Sequence, residues 1–178
     1  YSDNQTFQVL IDQIQTPLAL SEGESAVAAT YFKDKENILM LSTSGKLLEY
    51  DEGNVQFADT ADVEWKNGVD IKTYSTRVYI LDSLNNQIWR YTRTRDSYGS
   101  AQAYVSNTGV DLTKAVSFAV DGNVWILNSD GSITKLLSGE PVTFEIKKAP
   151  LTEPTSPTKI YTELELNQVF VLDPTSNK

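Results

Sequence analysis

The chain has 178 residues, no cysteine and no histidine, and 15 Lys and Arg against 24 Asp and Glu, a net charge of −9. These counts exclude disulfides, Cys- or His-ligated metals, thiol nucleophiles and every imidazole-dependent triad or general base. They also argue against nucleic acid and anionic lipid surfaces as partners, because phosphate neutralisation needs a basic stripe and the cations here are scattered.

An apolar fraction of 40% and a charged fraction of 22% mark a folded domain. No apolar run approaches the roughly 20 residues that span a bilayer. Tyr1 is not a natural start, which points to a trimmed or processed chain from which an anchor or signal could have been lost. Asn4-Gln5-Thr6 fits a glycosylation sequon, a triplet common by chance. Residues 6–14 read as a trailing strand. Residues 13–24 hold the one helix-like stretch, interrupted by Pro17.

From residue 25 onward one phrase recurs. Four short strands each follow a polar residue: Ile38–Leu41, Val78–Leu81, Val124–Leu127 and Val169–Leu172. Their starts at 38, 78, 124 and 169 are separated by 40, 46 and 45 residues. A period of about 40–45 residues is the length of one β-propeller blade. Each strand is preceded by another: Val27–Phe32, Val69–Tyr74, Ala115–Val120 and Thr158–Thr162. Each is followed by a Gly/Asn/Asp/Ser turn that closes a hairpin, and in three copies by a third strand: Lys46–Tyr50, Gln87–Tyr91 and Ser132–Leu136. The fourth strand of each unit is poorly marked. Pro150, Pro154 and Pro157 make the stretch from Lys147 to Lys159 a connection between units, since proline removes ladder donors.

The expected fold is therefore all-β, a β-propeller with about four four-stranded antiparallel blades, part of a larger propeller. The chain divides into a trailing strand at 6–14, blades at about 25–68, 69–114 and 115–150, and a partial blade at 157–178, all in one domain. A β-sandwich also has strands at short spacing, but it does not predict the same strand–turn–strand phrase four times. An incomplete ring exposes apolar blade faces, so self-association is expected. The alternative is that strand 6–14 acts as a clasp completing the last blade.

The stretch Ala119-Val120-Asp121-Gly122-Asn123-Val124-Trp125-Ile126-Leu127-Asn128-Ser129-Asp130-Gly131 resembles the repeat of NHL-type and SMP-30/gluconolactonase-like propellers. Leu81–Tyr91 is similar to the second half of the NHL unit. The resemblance covers residues 25–178 and is specific for the blade. It implies that Asp121-Gly122 turns with φ > 0 at the glycine, and that Trp89 and Trp125 pack between blades. Such blades serve enzymes, sensors and binding modules alike, so it licenses no activity. An enzyme of the SMP-30 kind needs a Glu, an Asn and an Asp converging on the central channel, and no motif here places such a set.

Asp82, Asp121, Asp130 and Asp173 stand at strand tips, where carboxylates can bind Ca²⁺ or cap their own turns through backbone N–H groups. Their repeat-equivalent turn positions favour capping. Glu163 and Glu165 alternate as on one strand face. Arg90, Arg93 and Arg95, with Tyr91 and Tyr98, form a basic and aromatic patch expected on an exposed outer strand and loop, able to grip an acidic or glycan partner. The resulting expectation is a non-catalytic module that presents loops to a protein or glycan at a bacterial surface outside the cytoplasm. A metal-dependent lactonase- or lyase-like enzyme is the alternative.

Overall fold

In a computed structural model, residues 25–51, 54–58, 65–95, 97–145 and 156–176 are described. The proposed strand 6–14, the stretch 13–24, the sequon, and residues 146–155 of the proline-rich connection lie outside them. The first blade is an antiparallel meander of β1 (Ala26–Phe32), β2 (Asn37–Ser42), β3 (Leu47–Asp51) and β4 (Asn54–Phe57). The second runs through β5 (Gly68–Tyr74), β6 (Arg77–Asp82), β7 (Gln87–Thr92) and β8 (Gln102–Ala103). The third runs through β9 (Ala115–Val120), β10 (Val124–Asn128), β11 (Ile133–Leu137) and β12 (Glu140–Pro141). A fourth sheet pairs β13 (Lys159–Tyr161) with β14 (Phe170–Leu172). The fold is all-β and is that of a β-propeller. The weakly marked fourth strands exist, but β8 and β12 are two residues each.

The first strand of each blade is the axial one. β1 packs on β5, β5 on β9 and β9 on β13, and the series stops there. Blades stack face to face, so an inner blade is covered on both sides. That is why the second strands are continuous apolar runs rather than alternating ones. In β6, Val78 and Ile80 pack toward the first blade, and Tyr79 and Leu81 toward the third.

Three separate cores result. Phe32, Leu39, Leu41 and Leu47 meet Ile71, Val78, Ile80 and Tyr91. Tyr79, Leu81 and Ile88 meet Phe118, Val124, Ile126 and Leu136. Ala119 and Leu127 meet Ile160, with Trp125 and Val171 half-buried beside them. The stack thus behaves as a series of nearest-neighbour contacts.

The sequence repeat extends to single hydrogen bonds. Thr43 N donates to Ser25 O at 2.9 Å, Ser83 N to Asn67 O at 3.2 Å, and Ser129 N to Lys114 O at 2.9 Å. Each bond ties the residue after the second strand to the residue before the axial strand. In the first three axial strands the register slips by one at the same place, leaving Val27, Val69 and Val116 unpaired as β-bulges. Gly45, Asn86 and Gly131 fill the left-handed slot of the second-to-third-strand turns. Gly122 turns at φ 106°, as the Asp-Gly pair implies.

Glu163 and Glu165 do not share a strand face. β13 ends at Tyr161, and residues 162–169 form the connection to β14, closed by Leu166 N donating to Glu163 O. The Glu-Leu alternation that looks like a strand is a turn of exposed leucines and carboxylates.

Candidate functional site

The bulges and turns gather on one face of the stack, where axial strands begin and second-to-third-strand turns end. Between the first and second blades this face opens into a groove of about 370 Å³. One wall is the turn Thr43–Gly45. The other is the run from Trp65 to Val69, and Val27 closes one side.

The wall is rigid. Trp65 is buried, and its Nε1 donates to Tyr91 Oη at 3.1 Å with the rings edge to face. Lys66 N and Asn67 N donate to the Asp82 carboxylate at 3.1 and 3.0 Å. Asn67 Nδ2 donates to Ser83 Oγ at 2.8 Å. A Cβ on Gly68 would lie 2.7 Å from Leu41 Cδ2, so any larger residue would push the Leu41 side chain aside where the axial strand meets the first blade. The groove combines apolar Val27 and Val69, two hydroxyls from Thr43 and Ser44, and the exposed Lys66. Among the described residues no carboxylate lines it.

The four candidate metal ligands stay apart, each engaged with nearby donors. Asp82 is fully buried and also accepts from Asn85 N, Asn85 Nδ2 and Trp89 Nε1. Asp121 accepts from Asn123 N at 2.9 Å, Asn123 Nδ2 at 3.1 Å and Trp125 Nε1 at 2.9 Å. Exposed Asp130 accepts from Ser132 N and Oγ, which hold its carboxyl below the usual range. Asp173 accepts from Ser156 N, Thr175 N and Thr175 Oγ1. Among the described residues no three acidic side chains gather where they could hold a metal ion.

The basic patch is not the exposed surface expected from its sequence. Tyr91 is fully buried and Tyr98 nearly so. Arg93 NH1 pairs with Glu49 Oε1 of the first blade, and Asn37 Nδ2 donates to the same oxygen. The Arg93 guanidinium also lies over the rings of Phe32 and Tyr98, 5.9 and 5.6 Å from their centroids. Burial, with Glu49 close by, pushes the Tyr98 hydroxyl far above its ordinary value. Arg93 and Tyr98 therefore join two blades. Arg90 NH2 donates to Gln102 Oε1 at 2.8 Å within the second blade, and Arg95 is exposed.

A charged cluster at the axis went unmarked in the sequence. Asp70, Ser117 and Lys159 hold equivalent places in successive axial strands, paired with Leu81, Leu127 and Leu172. Asp70 is buried, accepts from Ser117 Oγ at 2.6 Å and Phe118 N at 3.3 Å, and pairs with Lys72 at 2.8 Å and Lys159 at 3.4 Å. Burial pushes the Lys72 ammonium down from 10.5, partly opposed by Asp70. The signal was present: aligning the repeats on their second strands places an Asp and a Lys in the middle of axial strands. Two ammonium groups on one carboxylate oppose a divalent cation.

No family model and no curated protein matches the sequence. Among solved structures, the computationally designed Ika4 protein superposes with TM-score 0.57 at 14% identity, over 87% of this chain and 89% of its own. Regucalcin from Agrobacterium tumefaciens, a calcium-binding protein, gives 0.56 at 16% identity, over 78% of this chain and 49% of its own. Virginiamycin B lyase from Staphylococcus aureus gives 0.52 at 14% identity, over 77% and 45%. The chain thus spans about half the length of the two natural proteins. At these identities the likeness carries the fold alone.

Proposed function

We propose that this chain is a non-catalytic propeller module that takes a segment of a protein or glycan into the groove between its first two blades, in an extracytoplasmic setting. The observation that carries this reading is the groove's chemistry. It offers hydroxyls, a lysine and apolar bulge residues on a wall fixed by Asp82 and Trp65, and among the described residues no carboxylate lines it to act as general acid or base. Loops held by a rigid scaffold are the usual places for recognition.

The competing reading, a metal-dependent lactonase- or lyase-like enzyme, draws support from the likeness to regucalcin and the lyase alone. Thermal melts of the 178-residue chain with EDTA, then with excess Ca²⁺, Mg²⁺ or Mn²⁺, separate the two. A metal held in the native state at about 100 times its Kd adds roughly 2.7 kcal/mol. Unchanged melts are expected, and a rise with one metal favours the enzyme. Panels of immobilised glycans and peptides then test the groove directly. Ser44→Trp, which fills it, is expected to abolish any binding that the unaltered chain shows. Retained binding would move recognition elsewhere.

A further inference from the structure

The two ends of the stack are the two halves of the interface that recurs inside it. Toward the preceding blade, Ile71, Val78 and Ile80 of the second blade and Phe118, Val124 and Ile126 of the third are buried in the inter-blade cores. By strand register, Ala29, Ile38 and Met40 hold these places in the first blade. There Ile38 is 38% exposed and its partner Tyr31 56%, where Val78 and Ile80 are 0%. Toward the following blade, Leu39 and Leu41, then Tyr79 and Leu81, fill the first two cores. Phe170 and Leu172 hold those places in the fourth blade and are 50% and 52% exposed. Tyr161 beside them is 51% exposed. Apolar faces of this kind mark interaction sites.

We propose that a second copy of this chain covers both faces, head to tail, and closes a ring of eight blades. Three observations single out this occupant. Each end face carries the residue types of the recurring interface, one end its giving half and the other its receiving half. Two copies supply enough chain to match one regucalcin or lyase chain and somewhat more, since about three-quarters of one copy already aligns with 49% and 45% of them. Twice four blades falls within the four to eight of closed propellers. The symmetry is two-fold about the ring axis, with two identical contacts, each joining unlike faces.

Sedimentation equilibrium of the 178-residue chain is expected to give twice its 19.8 kDa mass. Tyr31→Asp and Phe170→Asp, both at exposed sites, each spoil both contacts of their own dimer. Either should weaken it at least thirtyfold or so, as loss of a buried interface aromatic does, with the far-ultraviolet β signature unchanged. Mixing the two variants is the sharper test, because one contact in the mixed dimer then joins two unaltered faces. Partial recovery of dimer in the mixture is expected. A monomer for the unaltered chain, open polymers, a dimer indifferent to either substitution, or no recovery on mixing would each overturn ring closure by a second copy. A monomer would instead assign the faces to further blades of a longer chain.

Discussion

Glu49 and Arg93 show how a few residues lock blades together. Both side chains are largely buried, and the pair crosses from the first blade to the second. Breaking a buried pair leaves one charge without its partner, whereas replacing both members by apolar groups is often neutral. Arg93→Ala is thus expected to cost about 3–5 kcal/mol in chemical denaturation. Glu49→Leu combined with Arg93→Met should recover most of that loss. A single variant as stable as the unaltered chain would show that the pair does not hold the blades.

The sequence placed Arg93 in an exposed patch because a lone strand carries no information about its neighbour. Glu49 lies 44 residues away, and only blade stacking brings it to Arg93. The opposite holds for two of the candidate acids. Asp121 and Asp130 bond within their own turns, so their local sequence is sufficient to read their partners.

At the level of elements, the turns decide how blades connect. Asn86 occupies a left-handed slot at φ 50°, yet its side chain also works at a distance. Its Nδ2 donates to Val110 O at 2.8 Å and its Oδ1 accepts from Leu112 N at 2.6 Å, anchoring the loop that leads into β9. Asn86→Gly keeps the backbone freedom but loses both bonds, an expected cost of about 1–3 kcal/mol. Asn86→Ala adds backbone strain to that loss and should be the less stable of the two. Equal stabilities in urea titration would show that the slot imposes no strain.

Strands two and three of the first three blades were legible because their apolar runs and turn residues are local. β8 and β12 were not, since two-residue edge strands have no periodicity to detect. The Glu163–Leu166 turn mimicked a strand by alternation alone. The groove was beyond sequence reading for another reason. It is made of two segments, Thr43–Gly45 and Trp65–Val69, that meet only when blades stack.

For the molecule as a whole, acid is the expected weakness. Asp111, Asp130 and Glu140 are each held below their ordinary values, chiefly by hydroxyl donors: Thr113, Ser132 and Ser106. A carboxylate with a depressed folded value contributes stability above its unfolded value and loses it as pH falls through the folded one. Melting temperature should therefore hold from neutral pH down to about 4.5, the ordinary value for Glu140, and fall below it. Glu140→Gln should flatten that fall, and an unaltered slope would show that these carboxylates do not set acid stability.

The bonds from Thr43 to Ser25, Ser83 to Asn67 and Ser129 to Lys114 have a consequence for motion. Each fastens a loop on the groove face to the base of an axial strand, so a wall cannot swing outward while its clasp is shut. Widening the groove requires one named amide at a time to surrender its carbonyl. The amide protons of Thr43, Ser83 and Ser129 are therefore separate gauges of breathing in three successive blades. Solvent exchange at Thr43 and Ser83 times the opening of the cleft on either side.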